Sequence, residues 1–459
     1  MTESIEERLK EVDRFVYSSM QEQKLPGISL TITKNGETVY SKGHGYRDLE
    51  KLVPATENTL YMIGSITKSL TALGVLQLYQ KKKLDIYAPI KEFIPSVKLE
   101  EEVGKIPINN LLFHSSGFPT LNVAEILIMK MLGKDSSYIS ISSFEDFIDL
   151  INFAVKERVA LPGKKYFYWN EGYMILGKII ETVSGVKYED YIKNNILLPL
   201  KMRRSGFYAK SAVEDGDFAV PYYFDEKGER RPVPMPDNPL NYAAGGLITS
   251  TVELSMYLKF WLGFDTNEIL NEELIREALK PRISTGRESP YGREFYGYGW
   301  FITNDFYGKK MVWHSGNVEV FSAFAAFVPE EKVSVAIASN SGKALASQIG
   351  IFTLCSVMSL RSDDLPFIRE RRIREALKGI YRDYRNYTVV RIYDGADGIL
   401  NMEYSSDEMH MILPVIISGK KAYTFMNYYK YPLEYELDNK ENAVKKLCFE
   451  RHCFNKVSV

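Results

Sequence analysis

Residues 62–73 read MIGSITKSLTAL, and this stretch places a serine three residues before a lysine at the start of an apolar run. Apolar residues at three-and-four spacing continue through SLTALGVLQLYQ and predict a helix that begins at Ser65. Residues three apart share one face of a helix, so the amine of Lys68 can reach the Ser65 hydroxyl. Serine is also a common helix N-cap, so the stretch alone is compatible with a cap or a nucleophile.

Lys68 fits the cap interpretation poorly. A capping box has Glu or Gln three residues after the cap, and the positive end of the helix dipole disfavours a cation there. The same dipole, together with burial, would lower the lysine pKa from about 10.4 toward a value useful for a base. Ser184–Lys187 and Ser418–Lys421 repeat the spacing, but the first follows a predicted helix end and the second lies in a predicted hairpin turn.

Two further segments carry side chains suited to a hydrolytic site. In PGKKYFYWNEG, Tyr168 could pass a proton beside an ammonium group, and Asn170 could hold a substrate carbonyl. In VWHSGNVEVF, His314 and Gly316 lie near the end of a predicted strand, where glycine permits close approach of a ligand. Considered alone, the four aromatic residues 166–169 are more typical of a hydrophobic core than of a catalytic site. A single histidine on a strand is likewise more often a packed or hydrogen-bonded residue than a catalytic one.

The order and spacing of these three motifs resemble those of the serine β-lactamase and penicillin-binding-protein superfamily. The similar branch contains class C β-lactamases, D-Ala-D-Ala carboxypeptidases and CubicO-type proteins. GSITKS resembles its Ser-x-x-Lys motif, YWN its Tyr-x-Asn motif and HSG its Lys/His-Thr/Ser-Gly motif. LLFHSSGFP and AAGGLITSTVELSMYLKFWL are also similar to family segments. The C-terminal region resembles the lipocalin-like domain of some archaeal CubicO-type serine peptidases.

This resemblance implies a serine peptidase that forms an acyl-enzyme on Ser65, with Lys68 and Tyr168 handling protons. Either of these two residues could be the acylation base. The oxyanion hole would consist of the backbone N–H groups of Ser65 and Asn317. The substrate-binding residues would be Asn170, His314, Ser315, Gly316 and Asn317. Peptides containing D-amino acids are candidate substrates, and a carboxylesterase or an acylatable sensor without turnover are the alternatives.

Two histidines refine this expectation. Many β-lactamases carry lysine at the position of His314, and histidine, with a reference pKa of about 6.5, would offer a positive charge only at lower pH. This difference disfavours a true β-lactamase. His114, within HSSG, is expected to make structural hydrogen bonds.

The strand and helix patterns predict an α/β (α+β) hydrolase domain over residues 1–360. GISLTITKNGETVYSKGHGYRD predicts a hairpin around Asn35-Gly36, and strand character returns in YGWFITND, KMVWHSG, VFSAFAAFVP and VSVAIASN. A single core requires both ends to share one antiparallel sheet flanked by helices, with a helical lobe at about 65–262 inserted. A linker is predicted at 361–374, and a small antiparallel, lipocalin-like β-barrel at 375–459.

Composition limits the partners. The 58 basic and 59 acidic residues give a net charge of -1, so we expect no nucleic acid and no membrane partner. The sequence has no apolar run of membrane-span length and no signal-peptide pattern. Three cysteines, Cys355, Cys448 and Cys453, argue against a disulfide framework and predict a reducing, cytoplasmic location. No metal or cofactor is expected, the substrate is predicted to be a peptide, and a homo-oligomer is a candidate assembly.

Overall fold

The structure is a computed structural model that describes residues 4–99, 105–133, 141–225, 227–264, 269–362, 365–396, 398–438 and 443–458. The chain divides into two compact units, Met1–Ser359 and Leu360–Val459.

Both ends of the first unit contribute to one antiparallel sheet. Its strands and those of two small ribbons are β1 (Gly27–Lys34), β2 (Glu37–Asp48), β3 (Val53–Pro54), β4 (Tyr61–Met62), β5 (Tyr222–Phe224), β6 (Arg230–Pro232), β7 (Ile248–Thr249), β8 (Ile283–Ser289), β9 (Gly292–Tyr296), β10 (Phe301–Phe306), β11 (Lys309–Asn317), β12 (Ser322–Val328) and β13 (Val333–Ser339). The nine-stranded sheet has the order β3-β2-β1-β13-β12-β11-β10-β9-β8. Because β1 pairs with β13, the prediction that the two ends share a sheet is confirmed.

The first hairpin forms where the sequence predicts it. Asn35 and Gly36 have φ angles of 52° and 82°, the left-handed conformation that a tight hairpin turn requires. Strands β8 and β9 were not predicted, because ISTGRES and GREFY are polar, contain glycine and lack apolar alternation. Their pairing is also irregular between Ser284 and Glu288.

Helices cover both faces of the sheet. They span Ile5–Gln23, Thr67–Gln80, Ile108–Leu112, Val123–Met131, Phe144–Phe153, Asn170–Ser184, Tyr188–Ile192, Ala209–Asp215, Tyr242–Gly245, Thr251–Trp261, Glu272–Ala278 and Ala346–Val357. Alternate residues of β12 point to opposite faces. Ala323, Ala325 and Phe327 join the core formed with the helical lobe, whereas Phe324 packs against Gly350 of the last helix. The sheet is therefore a buried central layer.

The helix that follows the serine motif lies inside this core. Every residue from Thr67 to Leu78 is buried, as expected of a helix that is surrounded by protein. A 3-10 turn, Gly64–Ile66, precedes it, so Ser65 lies in that turn and the α-helix begins two residues later than predicted. The two other Ser-x-x-Lys pairs do not lie at the start of a helix. Ser184 is the last residue of a helix, which ends at Gly185 with a φ of 76°. Ser418 pairs with Lys421 across a β-hairpin.

The second unit is a closed antiparallel barrel, which confirms the predicted β-barrel. Its strands are β14 (Gly379–Arg382), β15 (Val389–Asp394), β16 (Leu400–Ser405), β17 (His410–Ser418), β18 (Lys421–Met426), β19 (Tyr429–Asp438), β20 (Ala443–Phe449) and β21 (His452–Ser458). Residues 361–374, assigned to a linker, contain most of a helix, Pro366–Leu377. Pro366 occupies its first turn, where proline is tolerated, and Ile373, Ala376 and Leu377 are buried in the barrel core.

The cysteine prediction was wrong for two of the three residues. Cys448 and Cys453 face each other in the β20–β21 hairpin and form a disulfide, with Cα atoms 4.1 Å apart. A cysteine count cannot detect a pair that a tight hairpin brings together. Cys355 is free and buried. Cysteine usage therefore no longer supports a reducing compartment.

Candidate active site

Ser65 and Lys68 form the centre of the site. The Nζ of Lys68 lies 3.0 Å from the Ser65 Oγ and donates a second hydrogen bond, of 2.7 Å, to the carbonyl of Ala244. Burial lowers the pKa of Lys68 to about 7, and the negative charges of Glu125 and Glu171 oppose this shift only in part. Near neutral pH the amine is thus half deprotonated and can accept a proton from the serine.

Tyr168 closes a second side of this centre. The centroid of its ring is 4.9 Å from the Nζ of Lys68. Tyr168 lies two residues before the start of the helix Asn170–Ser184. Burial raises the pKa of Tyr168 well above its usual value, and the hydrogen bond with Ser65 opposes that rise only in part. The phenol consequently stays protonated and can serve as a proton donor.

His114 fixes the segment that carries Tyr168. Its ring packs 4.3 Å from the Tyr168 ring, and its Nδ1 accepts a 2.9 Å hydrogen bond from the backbone N–H of Trp169. Its carbonyl accepts a further bond from the N–H of Phe167. The prediction that His114 makes structural hydrogen bonds is confirmed. Of the four aromatic residues 166–169, only Trp169 is fully buried.

Two glycines bring strand β11 against the serine turn. A Cβ on Gly316 would lie 1.8 Å from the carbonyl oxygen of Ile63, and a Cβ on Gly64 would lie 2.7 Å from the backbone N of Asn317. The close approach at Gly316 is therefore to the protein's own backbone and not, as predicted from the sequence, to a ligand. This contact places the Asn317 N–H beside the turn that holds Ser65.

His314 is neutral, and both of its ring nitrogens are hydrogen-bonded within the protein. Its Nδ1 donates to the carbonyl of Ser315 at 2.6 Å, so in the neutral ring Nε2 must accept from the Tyr296 hydroxyl at 2.9 Å. Burial, and then the charge of Lys68, lower the pKa of His314 to about 3. The side chain therefore brings no positive charge to the site at physiological pH.

Asn170 lies at the first position of its helix. Its Nδ2 donates a 2.9 Å hydrogen bond to the Oε1 of Glu125, on the helix Val123–Met131. The next residue, Glu171, is fully buried and accepts hydrogen bonds from the N–H groups of Leu121 and Val123, which fixes the start of the Glu125 helix. Burial raises the pKa of Glu171.

These groups line one open cavity of about 410 Å³. Six of the predicted residues contribute to its wall, namely Ser65, Tyr168, Asn170, His314, Ser315 and Asn317. Lys68 is completely buried, and Gly316 packs against the serine turn.

The cavity wall also contains three charged residues that the sequence motifs did not predict, Glu125, Arg287 and Glu319. Glu125 could have been noticed in the sequence, because it is the only acidic residue in the apolar helix VAEILIMKM. Arg287 lies on β8, a strand that was itself missed.

Within the described ranges, no group of three or more His, Cys, Asp or Glu side chains is arranged to hold a metal ion. In the same part of the chain, no helix combines the length and apolar character needed to cross a membrane.

A buried lysine amine with a near-neutral pKa lies beside the Ser65 hydroxyl, an arrangement suited to activating a serine as a nucleophile. The sequence profile of the Beta-lactamase family matches residues 12–351. The chain therefore belongs to this family and has the β-lactamase-like fold.

Similar proteins support this membership. Protein flp of Staphylococcus aureus (strain NCTC 8325 / PS 47) is 29% identical over 336 residues, which cover 72% of this chain; the chain spans only 63% of that relative's length. A teichoic acid D-alanine hydrolase of S. aureus (strain MRSA252) is 30% identical over 223 residues, 48% of this chain and 49% of the relative. The octameric penicillin-binding protein homologue from Pyrococcus abyssi has a TM-score of 0.87 and 35% identity, covering 98% of this chain and 100% of that one.

Proposed function

We propose that this protein is a serine peptidase that cleaves amide bonds through an acyl-enzyme on Ser65. The observation that carries the proposal is the 3.0 Å contact between the Ser65 hydroxyl and a completely buried Lys68 whose pKa is about 7. A lysine amine must be desolvated to act as a base at neutral pH, and this one is.

The residues support the following proton path. Neutral Lys68 takes the proton of Ser65 as the Oγ attacks the substrate carbonyl carbon. The N–H groups of Ser65 and Asn317 bind the developing oxyanion. Tyr168 gives its proton to the departing amine and regains one from the Lys68 ammonium. Water then hydrolyses the ester on Ser65 by the reverse proton transfers, which restores the free enzyme.

The pKa values of the two candidate bases favour Lys68 for the acylation step. Burial moves both side chains toward their neutral forms, which makes the lysine a proton acceptor and keeps the tyrosine a proton donor. The proposal therefore assigns the first proton transfer to Lys68 and the leaving-group protonation to Tyr168.

We also propose that the acyl part of the substrate is a D-amino acid. The support is the matching S. aureus relative that is described as a teichoic acid D-alanine hydrolase. A panel of D- and L-alanyl amides and short acyl esters, compared by kcat/KM, tests this proposal. Preference for simple acyl esters over all amides would favour a carboxylesterase instead.

Ser65→Ala tests the nucleophile. Wild-type protein incubated with a fluorophosphonate should gain one adduct by intact mass, and Ser65→Ala should gain none and lose hydrolysis while keeping its circular dichroism spectrum. Hydrolysis at near-normal rates in Ser65→Ala would overturn the mechanism. A stable adduct on Ser65 with no turnover of any substrate would identify an acylatable sensor.

We propose that the chain forms a homo-oligomer. The support is its similarity, over 98% of the chain, to the octameric homologue from P. abyssi. Size-exclusion chromatography with light scattering should give a mass several times 52.6 kDa. A monomer at micromolar concentration would contradict this proposal.

A further inference from the structure

Glu125 extends the substrate-binding wall beyond the predicted motifs. Its carboxylate is exposed in the cavity and accepts a hydrogen bond from the amide nitrogen of Asn170, while both residues share that cavity with Ser65. The same carboxylate is close enough to Lys68 to be the leading charge that opposes the drop in the lysine pKa. A negative charge thus lies beside the amide that is proposed to hold the substrate.

Apart from the buried Lys68 amine, which is only half protonated at neutral pH, the charged groups of the cavity wall do not neutralise this carboxylate. Arg287 lies 3.6 Å from the carboxylate of Glu294, so its charge is shared with an acidic partner. His314 is neutral, and Glu319 adds a second exposed carboxylate to the wall. The field at the cavity mouth therefore favours a cationic ligand over an anionic one.

We propose that Glu125 binds a free α-ammonium group on the acyl part of the substrate, so that the enzyme removes a single N-terminal aminoacyl residue. An ammonium group has three donors, and it can donate both to Glu125 and to the carbonyl oxygen of Asn170. The amine and the scissile carbonyl are separated by one Cα atom in an N-terminal residue. This inference rests on the proposed function, because it requires acylation of Ser65.

The test compares blocked and unblocked substrates. Alanine p-nitroanilide of each configuration and its N-acetyl derivative are assayed with wild-type protein, Glu125→Gln and Glu272→Gln. We expect the wild type to prefer the free amine by about tenfold in kcat/KM, the size of one partly exposed ion pair. Glu125→Gln should lose this preference mainly through KM, so that its kcat/KM for the free amine falls to the value for the N-acetyl substrate. Glu272→Gln removes a surface carboxylate outside the cavity wall and should retain the preference.

A charge-reversed variant sharpens the comparison. Glu125→Lys should disfavour the free amine and gain activity on an N-succinyl substrate, because the ligand charge it attracts is inverted. Equal or better hydrolysis of the N-acetyl substrate by the wild type would overturn the inference. Equal loss on both substrates in Glu125→Gln would also overturn it, since that result indicates a structural role through Asn170.

Fluorophosphonate labelling separates the two proposals. Labelling of Ser65, together with cleavage of N-blocked amides at least as fast as cleavage of the free-amine amides, would refute the ammonium site while the peptidase proposal stands. Absence of both labelling and amide cleavage would refute the peptidase proposal itself.

Discussion

The pH dependence of acylation tests the assignment of Lys68 as the base. The amine accepts a proton only when it is neutral, and its pKa of about 7 means that the neutral fraction falls tenfold for each pH unit below 7. The acylation rate should therefore reach a plateau above pH 8 and be about 100-fold lower at pH 5. His314, with a pKa of about 3, and Tyr168, with a raised pKa, add no competing ionisation in this range.

A fluorophosphonate without ionisable groups is the suitable probe, because its own charge does not change with pH. The second-order rate constant for modification of Ser65 is measured by intact mass from pH 5 to pH 9. Tyr168→Phe should keep the midpoint near 7, whereas Lys68→Arg should be inactive throughout, since a guanidinium does not deprotonate. A pH-independent rate in the wild type, or an unchanged pH profile in Lys68→Arg, would refute the assignment.

Three further outcomes are expected. Between pH 7 and pH 10.5, Lys68 is protonated in the unfolded chain but neutral in the folded chain, because folding lowers its pKa from 10.5 to about 7. The free energy of unfolding of wild type, measured in urea relative to Lys68→Met, should therefore rise by up to about 5 kcal/mol between pH 7 and 10.5; a constant difference would contradict the pKa. Gly316→Ala places a Cβ 1.8 Å from the Ile63 carbonyl, so kcat/KM should fall by about 10²-fold as the serine turn is displaced, and normal activity in a folded variant would argue against this packing. Tyr168→Phe should lower kcat by about 10²-fold with an unchanged melting temperature, and a small effect would remove it from the proton path.

Local patterns predicted the elements whose cause is local. The Asn35-Gly36 hairpin and the helix that follows Ser65 depend on turn chemistry and apolar spacing, which can be read within about ten residues. The three motifs each lie in a short segment with its own pattern, and they supply six of the eighteen residues that line the cavity.

Long-range packing decided what the sequence could not reveal. Gly316 was assigned to ligand contact, yet its neighbour is the backbone of Ile63, which is remote in sequence. Glu125 gains its position from Asn170 on another helix, and no spacing rule connects the two residues. The pKa of His314 depends on burial and on Lys68, so residue type alone could not show that it stays neutral.

The contact between the serine turn and strand β11 has a consequence for the newly made chain. Gly64 and Gly316 are about 250 residues apart, so the turn leaves the ribosome long before the strand that must pack against it. Until β11 is inserted between β10 and β12, the N–H of Asn317 is absent from the neighbourhood of Ser65. On the proposed mechanism, a growing or truncated polypeptide would hold Ser65 without the second oxyanion donor, and hydrolytic competence would follow only after translation of the sheet is complete.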